Sequence, residues 1–161
     1  MKYLGGVQTE PDAWRTFASW LGIQLLTENA MFSVIERSSG RWIGRIGPWT
    51  PRGWPTQEVG WGLLQEFEGK GYAMEAAIAC IDHVFHDKHW THVTHLIDDA
   101  NAASQRLAER LGSQPEELTE LPGKLAGHPV RVWRQSKLSW WASRERFSSL
   151  VPLKFDPTLV D

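Results

Sequence analysis

Hydrophobic and polar residues recur along the first third of the chain with two different periods. From Thr9 the apolar residues are spaced three and four apart, which predicts an amphipathic helix that Gly22 is placed to end. From Phe32 to Ile46 the period is two around a Ser-Ser-Gly turn, which predicts an antiparallel hairpin. The next ten residues, 47–56, contain three prolines and two tryptophans and predict a stiff loop.

The rest of the chain alternates predicted strands with predicted helices. In chain order these are a strand at residues 57–64, a helix at 71–85, a strand at 91–97, a helix at 102–111 and a strand at 130–133. Asn101 is a suitable N-cap for the helix at 102–111, and Gly112 is placed to end that helix. After Lys137 no convincing period remains. We therefore expect an α/β (α+β) fold in one domain, residues 1–137, followed by a C-terminal tail, residues 138–161.

Composition narrows the class of protein. A chain of 161 residues fits one hydrophobic core, and 42% hydrophobic with 22% charged residues is ordinary for a globular domain. A net charge of −2 gives no basic field, so nucleic acid is not an expected partner. No apolar run approaches the roughly 20 residues of a membrane helix, so no membrane partner is expected. The single cysteine, Cys80, excludes an internal disulfide and fits a reducing, cytoplasmic location.

The glycine turn Gly69-Lys70-Gly71 stands between a predicted strand and a predicted long helix. Backbone N–H groups at a helix start are free to bind a phosphate, and glycine lets a ligand approach the main chain closely. The spacing of a P-loop is absent. A dinucleotide fingerprint would need Gly or Ala where Met74 stands. The turn alone therefore indicates a phosphorylated ligand without identifying it.

Three segments in order make the pattern more specific: EVGW at 58–61, GKGYAMEAA at 69–77 and NAASQRLAERLG at 101–112. This set resembles the GNAT acyl-CoA N-acetyltransferases, most closely the Rim-type branch that contains ribosomal-protein N-terminal acetyltransferases. The resemblance runs from about Lys2 to Ser136 and implies a mixed, mostly antiparallel central sheet flanked by helices. It also implies acetyl transfer from acetyl-CoA to a primary amine of a protein N-terminus or a small molecule. The alternative is a coenzyme A-binding protein with little or no acetyltransferase activity.

The resemblance also assigns cofactor-binding residues. The pyrophosphate would receive backbone N–H bonds from Glu68, Gly69, Lys70, Gly71, Tyr72 and Ala73. The pantetheine arm would bond the exposed backbone of Leu63 and Leu64, in a gap beside the strand at residues 91–97. Asn101 would bond the same arm, cap its helix, or do both. Glu66 departs from the family pattern, which has Gln or Arg at that position.

Glu58 and Ser104 are the candidate catalytic residues. Acetyl transfer to an amine needs a base, and Glu58 at the head of the cofactor strand is the candidate for it. The alternatives for Glu58 are a solvated carboxylate or an ion pair with Arg45. The tyrosine that many GNAT enzymes use as general acid is replaced by Ala108. Ser104 would donate a proton to the departing thiolate, or simply occupy the first turn of its helix.

Trp49 and Trp54 are the candidate acceptor-binding residues, because their loop lies where the family places its acceptor pocket. Aromatic rings can hold a cationic amine by cation–π contact, and the alternative is plain packing of a Pro-rich loop. Five histidines recur at every third residue from His83 to His95. They span a helix end and a strand, so we expect no metal site and interpret them as surface and helix-end residues.

The chain departs from the family pattern at its start. Rim-type domains begin with a strand and helix before the segment that residues 2–6 resemble. We therefore expect a sheet that lacks the usual first strand, with an unpaired edge on the predicted hairpin. An upstream start, the C-terminal tail or a second subunit would cover this edge, and a homodimer is one of the expected arrangements.

Overall fold

The computed structural model describes residues 6–153, which form a six-stranded sheet with helices packed against it. The helices are α1 (Glu10–Thr27), α2 (Tyr72–His86), α3 (Ala102–Leu111) and α4 (Lys137–Ser143). The strands are β1 (Phe32–Ile35), β2 (Trp42–Trp49), β3 (Glu58–Leu63), β4 (His92–Ile97), β5 (Gln114–Glu120) and β6 (Pro129–Ser136). Short 3₁₀ turns occupy Gln65–Phe67, Gly123–Leu125 and Arg144–Phe147.

The sheet order is β1-β2-β3-β4-β6-β5, and only the β3–β4 contact is parallel. The predicted mixed, mostly antiparallel sheet flanked by helices is therefore confirmed. Within residues 6–153 no strand precedes α1, and β1 pairs with β2 alone. Residues 137–153 add no strand to that edge, so this part of the tail does not cover it.

The first helix starts where the sequence predicts and ends later. The Thr9 side chain caps it by accepting a hydrogen bond from the Asp12 N–H group. The helix continues through Gly22 to Thr27 and ends at Glu28, whose left-handed φ of 56° turns the chain away. The stop predicted at Gly22 is wrong, because an isolated glycine costs only about 1 kcal/mol in a helix and does not by itself end one.

The apolar face predicted for α1 is not packed into the core. No residue of α1 is buried, and Trp14 keeps 69% of its surface exposed. The helix instead contacts the sheet through Trp20, whose ring lies against Trp49 of β2. The 3.6-residue period therefore predicted the helix correctly. The apolar side of α1, however, is exposed and is not covered by other described residues.

The main core lies between α2 and the inner face of the sheet. Its fully buried members from α2 include Ala77, Ile78, Ile81, Val84 and Phe85. Cys80 belongs to the same cluster, and burial raises the pKa of its thiol to about 12. The thiol therefore stays protonated and packs as a small apolar group.

Two boundaries differ from the sequence-based prediction because pairing and packing extend the elements. Strand β2 continues through Gly47, Pro48 and Trp49, which pair with Gly60, Val59 and Glu58 of β3, so the Pro-rich loop begins at Thr50. Beyond residue 137 the chain is helical rather than irregular, and Trp140 and Phe147 belong to the main core. The folded unit therefore continues past residue 137.

Candidate active site

The two central strands β3 and β4 diverge from a single point of contact. Their one residue pair is Glu58 with Thr94. At the same point the His95 Nδ1–H group donates to the Val59 carbonyl over 2.7 Å, and the Leu96 N–H donates to Glu58 Oε1 over 3.3 Å. Beyond it no β4 residue pairs with β3, which leaves a gap beside β3 from Val59 to Leu63.

Backbone alternation determines which groups face this gap. The Val59 carbonyl points to β4, whereas the Leu64 N–H points to β2, where it bonds the Ile43 carbonyl over 2.8 Å. The Leu64 carbonyl is also occupied, because it accepts the Phe67 N–H over 2.9 Å. Since a strand alternates its hydrogen-bonding direction, Trp61 and Leu63 direct their main-chain groups into the gap. Of the two predicted pantetheine contacts, Leu63 has main-chain groups that face the gap, whereas those of Leu64 face away from it and are already bonded.

The carboxyl group of Glu58 lies at the apex of the gap and is 8% exposed. Trp54 Nε1–H donates to its Oε2 atom over 2.6 Å. Burial raises the pKa of Glu58 to about 7, and the hydrogen bonds from Trp54 and the Leu96 N–H oppose that rise. At neutral pH the group is therefore poised to accept or release a proton.

Arg45 does not form the alternative ion pair with Glu58. The register places Arg45 opposite Gly62, four residues along β3 from Glu58. Its guanidinium carbon lies 3.8 Å from the centre of the Trp20 ring. Glu58 is thus neither solvated nor ion-paired among the described residues, unlike a surface carboxylate.

The start of α3 contacts β3 through Ser104, and Asn101 caps the helix there. The Asn101 side chain caps the helix by accepting the Ser104 N–H over 3.2 Å. Ser104 Oγ accepts the Trp61 Nε1–H over 3.2 Å, so its own hydroxyl proton remains available for donation. Ala108 is fully buried against Ile97 and offers no polar atom.

His95 is a site residue that sequence reasoning missed. The prediction that all five periodic histidines are surface or helix-end residues is wrong for His95, which is 1% exposed. Its ring centre lies 4.5 Å from that of Trp61, and burial lowers its pKa to about 4, so the ring is neutral. Its Nε2 atom has no hydrogen-bond partner among the described residues. The sequence signal that could have found it was the alternation of side chains along β4. This alternation places His95 on the same face as the buried residues Val93 and Ile97.

The glycine turn before α2 is open and conformationally special. Gly69 and Gly71 have φ values of 73° and 89°, in the left-handed region that favours glycine. A Cβ atom at either position would meet no heavy atom within 4 Å. Helix α2 begins at Tyr72 with no side-chain hydrogen bond to its cap, so its first N–H groups are available to a ligand. The turn therefore offers open main-chain groups at the position predicted for a pyrophosphate.

Side chains around the turn are tied to the neighbouring hairpin. The Tyr72 hydroxyl donates to the Glu36 carboxylate, and the Lys70 ammonium lies 5.1 Å from the Phe67 ring centre. Glu66, the departure from the family pattern, accepts a 2.5 Å hydrogen bond from Arg41. The negative charge of Glu66 is thus offset locally, and the two side chains remain more than half exposed.

The predicted acceptor residues converge on the predicted base. The rings of Trp49 and Trp54 meet edge-on with centres 6.3 Å apart, and Trp54 holds Glu58 as described above. The structure adds Trp20, which contacts Trp49 edge-on at the same 6.3 Å distance. Sequence reasoning missed Trp20 because α1 and β2 are distant along the chain.

Residues 6–153 contain no group of three or more His, Cys, Asp or Glu side chains positioned to hold a metal ion. His83 and His86 both bond Asp87 at the end of α2, over 2.6 Å each. No helix among these residues is long and apolar enough to cross a membrane.

A diverging pair of central strands, with a glycine turn and helix start beside it, is the architecture that the sequence resemblance implied. A sequence model of the acetyltransferase (GNAT) domain matches residues 1–114 of the chain. The chain belongs to this family. This match and the observed strand order of the sheet together confirm the predicted GNAT-like fold.

Individual proteins show the same relationship. The uncharacterized N-acetyltransferase YnaD of Bacillus subtilis (strain 168) is 32% identical over 118 residues, 72% of this chain and 66% of that protein. Uncharacterized protein YkkB of the same strain is 34% identical over 79 residues, 48% of this chain and 46% of YkkB. The solved structure of an acetyltransferase from Agrobacterium tumefaciens str. C58 is 28% identical with a TM-score of 0.68, covering 82% of this chain and 75% of that one. The chain spans about half to two thirds of the length of the two curated relatives.

Proposed function

We propose that this protein transfers an acetyl group from acetyl-CoA to a primary amine. The observation that carries the proposal is Glu58, a buried carboxyl group with a pKa of about 7 at the point where β3 and β4 separate. A base near neutrality suits deprotonation of an ammonium group, and the adjacent gap and glycine turn suit an acyl-CoA thioester. Membership of the acetyltransferase (GNAT) family supports the same reaction.

The cosubstrate would be held by main-chain groups at two places. Its pyrophosphate would bind the N–H groups from Glu68 to Ala73, where the start of α2 favours negative charge. Its pantetheine arm would bond Trp61 and Leu63 in the gap and Asn101 at the start of α3. Main-chain donors suit this purpose because they are rigid before the ligand arrives.

The chemical step follows from the positions of Glu58 and Ser104. The Glu58 carboxylate removes a proton from the acceptor ammonium, and the neutral amine attacks the thioester carbonyl. The tetrahedral intermediate gives its second N–H proton to water and collapses with cleavage of the carbon–sulfur bond, so the neutral amide and a thiolate leave. Glu58 then releases its own proton to water. Ser104 donates its hydroxyl proton to that thiolate and recovers a proton from water. Trp61 orients Ser104 by donating to its Oγ atom.

Two measurements test this function. Calorimetry with acetyl-CoA at up to millimolar concentration should show saturable binding, and a thiol-release assay should show turnover with amines. Glu58→Gln keeps a hydrogen-bonding side chain but cannot accept the proton, so kcat should fall by about 10²–10⁴-fold with acetyl-CoA affinity retained. Binding without turnover across peptides, ribosomal proteins, polyamines and aminoglycosides would favour a coenzyme A-binding protein, and unchanged turnover in Glu58→Gln would remove Glu58 from the mechanism.

Two finer assignments belong to the same proposal. We place the protein in the Rim-type branch on the ordered motifs at residues 58–61, 69–77 and 101–112, and acetylation of a ribosomal protein N-terminus in the panel above would support it. We also propose a homodimer, supported by the exposed apolar side chains of α1 and by the edge of β1, which no strand of residues 6–153 covers. Sedimentation velocity that showed only monomer across concentrations would reject the dimer.

A further inference from the structure

Arg45 is a half-buried cation that lacks an anionic partner among the described residues. Its cross-strand neighbours are Ser33 on β1 and Gly62 on β3, and neither carries a charge. Among residues 6–153, five of the other ten arginines form ion pairs, for example Arg144 with Asp82 at 2.7 Å and Arg134 with Glu116 at 2.7 Å. A charged side chain that leaves water is normally paired, so the lack of an anion at Arg45 requires an explanation.

The surroundings of Arg45 leave its donors available to a ligand. Burial lowers its pKa to about 10, which still keeps the guanidinium charged at neutral pH. The Trp20 ring lies against it, 3.8 Å from the guanidinium carbon. Stacking on a ring satisfies the planar surface of a guanidinium but none of its five N–H donors. Those donors form a fork that matches a carboxylate.

Arg45 lies on the same face of the sheet as the proposed base. The pairs Arg45–Gly62, Gly47–Gly60 and Trp49–Glu58 alternate along β2 and β3, so their side chains share one face. Four residues of strand correspond to about 13 Å between the ends of this row. A hydrogen bond of about 3 Å at each end takes up part of that span, so one short molecule can reach both ends.

The route between Arg45 and Glu58 follows tryptophan rings. Residues 30–31 cover the glycines between them, since a Cβ atom at Gly47 would lie 2.2 Å from the Ala30 carbonyl oxygen. The rings of Trp54, Trp49 and Trp20 instead form a continuous edge-on series from Glu58 to Arg45. The resulting surface has a base at one end, aromatic rings along it and a cation at the other end.

We propose that the amine acceptor also carries a carboxylate, and that Arg45 binds this carboxylate while the amine lies at Glu58. A free dipeptide or tripeptide has this chemistry, with an amine and a carboxylate separated by a few residues. This inference rests on the proposed acetyl transfer. It narrows the acceptor from primary amines in general to primary amines that also carry a carboxylate.

The first experiment compares matched acceptors in the thiol-release assay. Wild-type protein is supplied with Ala-Ala and Ala-Ala-Ala, each as the free acid and as the C-terminal amide. The free acids should have a KM at least about tenfold lower, the effect expected of one charge-assisted pair. In Arg45→Gln the KM of the free acids should rise to that of the amides, whereas kcat, the KM of the amides and the KM of acetyl-CoA stay unchanged. Arg37→Gln, an exposed charge loss in the β1–β2 turn, is the control and should change nothing.

The second experiment needs no turnover. Binding of N-acetyl-Ala-Ala-Ala and of its C-terminal amide is followed by tryptophan fluorescence, because Trp20 lies against Arg45. Tighter binding of the free acid that is lost in Arg45→Gln and partly kept in Arg45→Lys supports the inference. Equal binding of acid and amide, or equal weakening of both in Arg45→Gln, overturns it. Thermal unfolding of each variant identifies a folding defect. If Arg45→Gln has such a defect, Arg45→Lys and the comparison of acid with amide in wild-type protein decide whether Arg45 binds the carboxylate.

The two proposals fail in different ways. If no amine releases thiol although acetyl-CoA binds, the proposed acetyl transfer fails, and the binding experiment still decides the role of Arg45. If amides and free acids are acetylated equally well, acetyl transfer stands and the carboxylate site is rejected.

Discussion

Burial and hydrogen bonding act in opposite directions on the carboxyl group of Glu58. Loss of water favours its protonated form, whereas the donors from Trp54 and the Leu96 N–H favour the carboxylate. The balance is a pKa of about 7, well above the usual range for a glutamate. A base acts only when ionised, so acetyl transfer should increase as pH rises through about 7 and level off above it.

Trp54→Phe tests this balance at the level of one atom. The change removes the indole N–H that stabilises the carboxylate, so the pKa of Glu58 should rise further. The acidic limb of kcat/KM should therefore move to higher pH, measured by thiol release across neutrality. Trp42→Phe, a half-exposed tryptophan of β2, is the matched control and should leave the limb in place. An unmoved limb in Trp54→Phe would show that another group controls the profile.

His95 is expected to be a positioning residue for the cosubstrate. Its Nδ1–H bond to the Val59 carbonyl closes the apex where backbone pairing stops. His95→Leu removes this bond, worth about 1–1.5 kcal/mol, and should raise the KM of acetyl-CoA about tenfold. His95→Asn presents an amide N–H near the position of Nδ1 and should restore most of the affinity. The KM of the amine should change little in either variant, whereas general destabilisation would affect both substrates and would not be rescued by asparagine.

Helix α4 is joined to α2 by a buried polar cluster. Asp82 of α2 accepts from Arg144 at 2.7–3.0 Å and from the Trp140 Nε1–H at 2.9 Å, and the Asp82 and Arg144 side chains are at most 9% exposed. Both partners of such a pair are desolvated, so removing one leaves a buried charge without compensation. The cluster holds residues beyond 137 to the core despite their lack of sequence period.

Arg144→Met should therefore lower the free energy of unfolding by about 3–5 kcal/mol, measured by urea denaturation. Arg131→Met is the control, because Arg131 pairs with Asp99 at the surface with 32% and 50% of the side chains exposed. That loss should cost about 1 kcal/mol or less. Equal effects of the two changes would mean that the segment after residue 137 adds little to stability.

Elements that depend on local sequence were predictable, and those that depend on distant partners were not. Helix α3 begins and ends as predicted because its Asn101 cap and Gly112 stop act within one turn. Helix α4 is seven residues long, and its anchor Asp82 is 62 residues from Arg144, so no local period marks it. The early stop predicted for α1 failed because the left-handed residue that ends the helix is Glu28, which carries no local stop signal.

The candidate site shows the same division at the scale of the whole molecule. The Glu58 position and the glycine turn followed from motifs, because motif spacing fixes them on neighbouring elements. Trp20, Arg45 and His95 could not be assigned because their roles depend on sheet register and on how α1 packs. Only the fold places the His95 ring against Trp61 and the Trp20 ring against both Arg45 and Trp49.

Acetyl-CoA binding should stabilise the entire fold, since it would contact the turn before α2, strand β3 and the start of α3. At a concentration 100-fold above Kd the free energy of unfolding should rise by about 2.7 kcal/mol, measured by thermal unfolding. Gly71→Ala should reduce this gain, because its Cβ would project into the open space proposed for phosphate. Gly40→Ala is the control, because Gly40 and Gly71 both have a left-handed φ and open surroundings. Without ligand, each substitution should lower the free energy of unfolding by about 1–2 kcal/mol. An undiminished gain in Gly71→Ala would place the phosphate elsewhere.

The single residue pair between β3 and β4 makes the sheet two three-stranded halves joined by a narrow seam. A cosubstrate bound between β3 and β4 would form hydrogen bonds with the stretch of β3 that β4 leaves unpaired, and would thereby join the two halves. The amides of Trp61 and Leu63 should then exchange with solvent deuterium freely in the empty protein and slowly once acetyl-CoA binds. Exchange at these two positions therefore reports whether acetyl-CoA is bound, whatever the acceptor is.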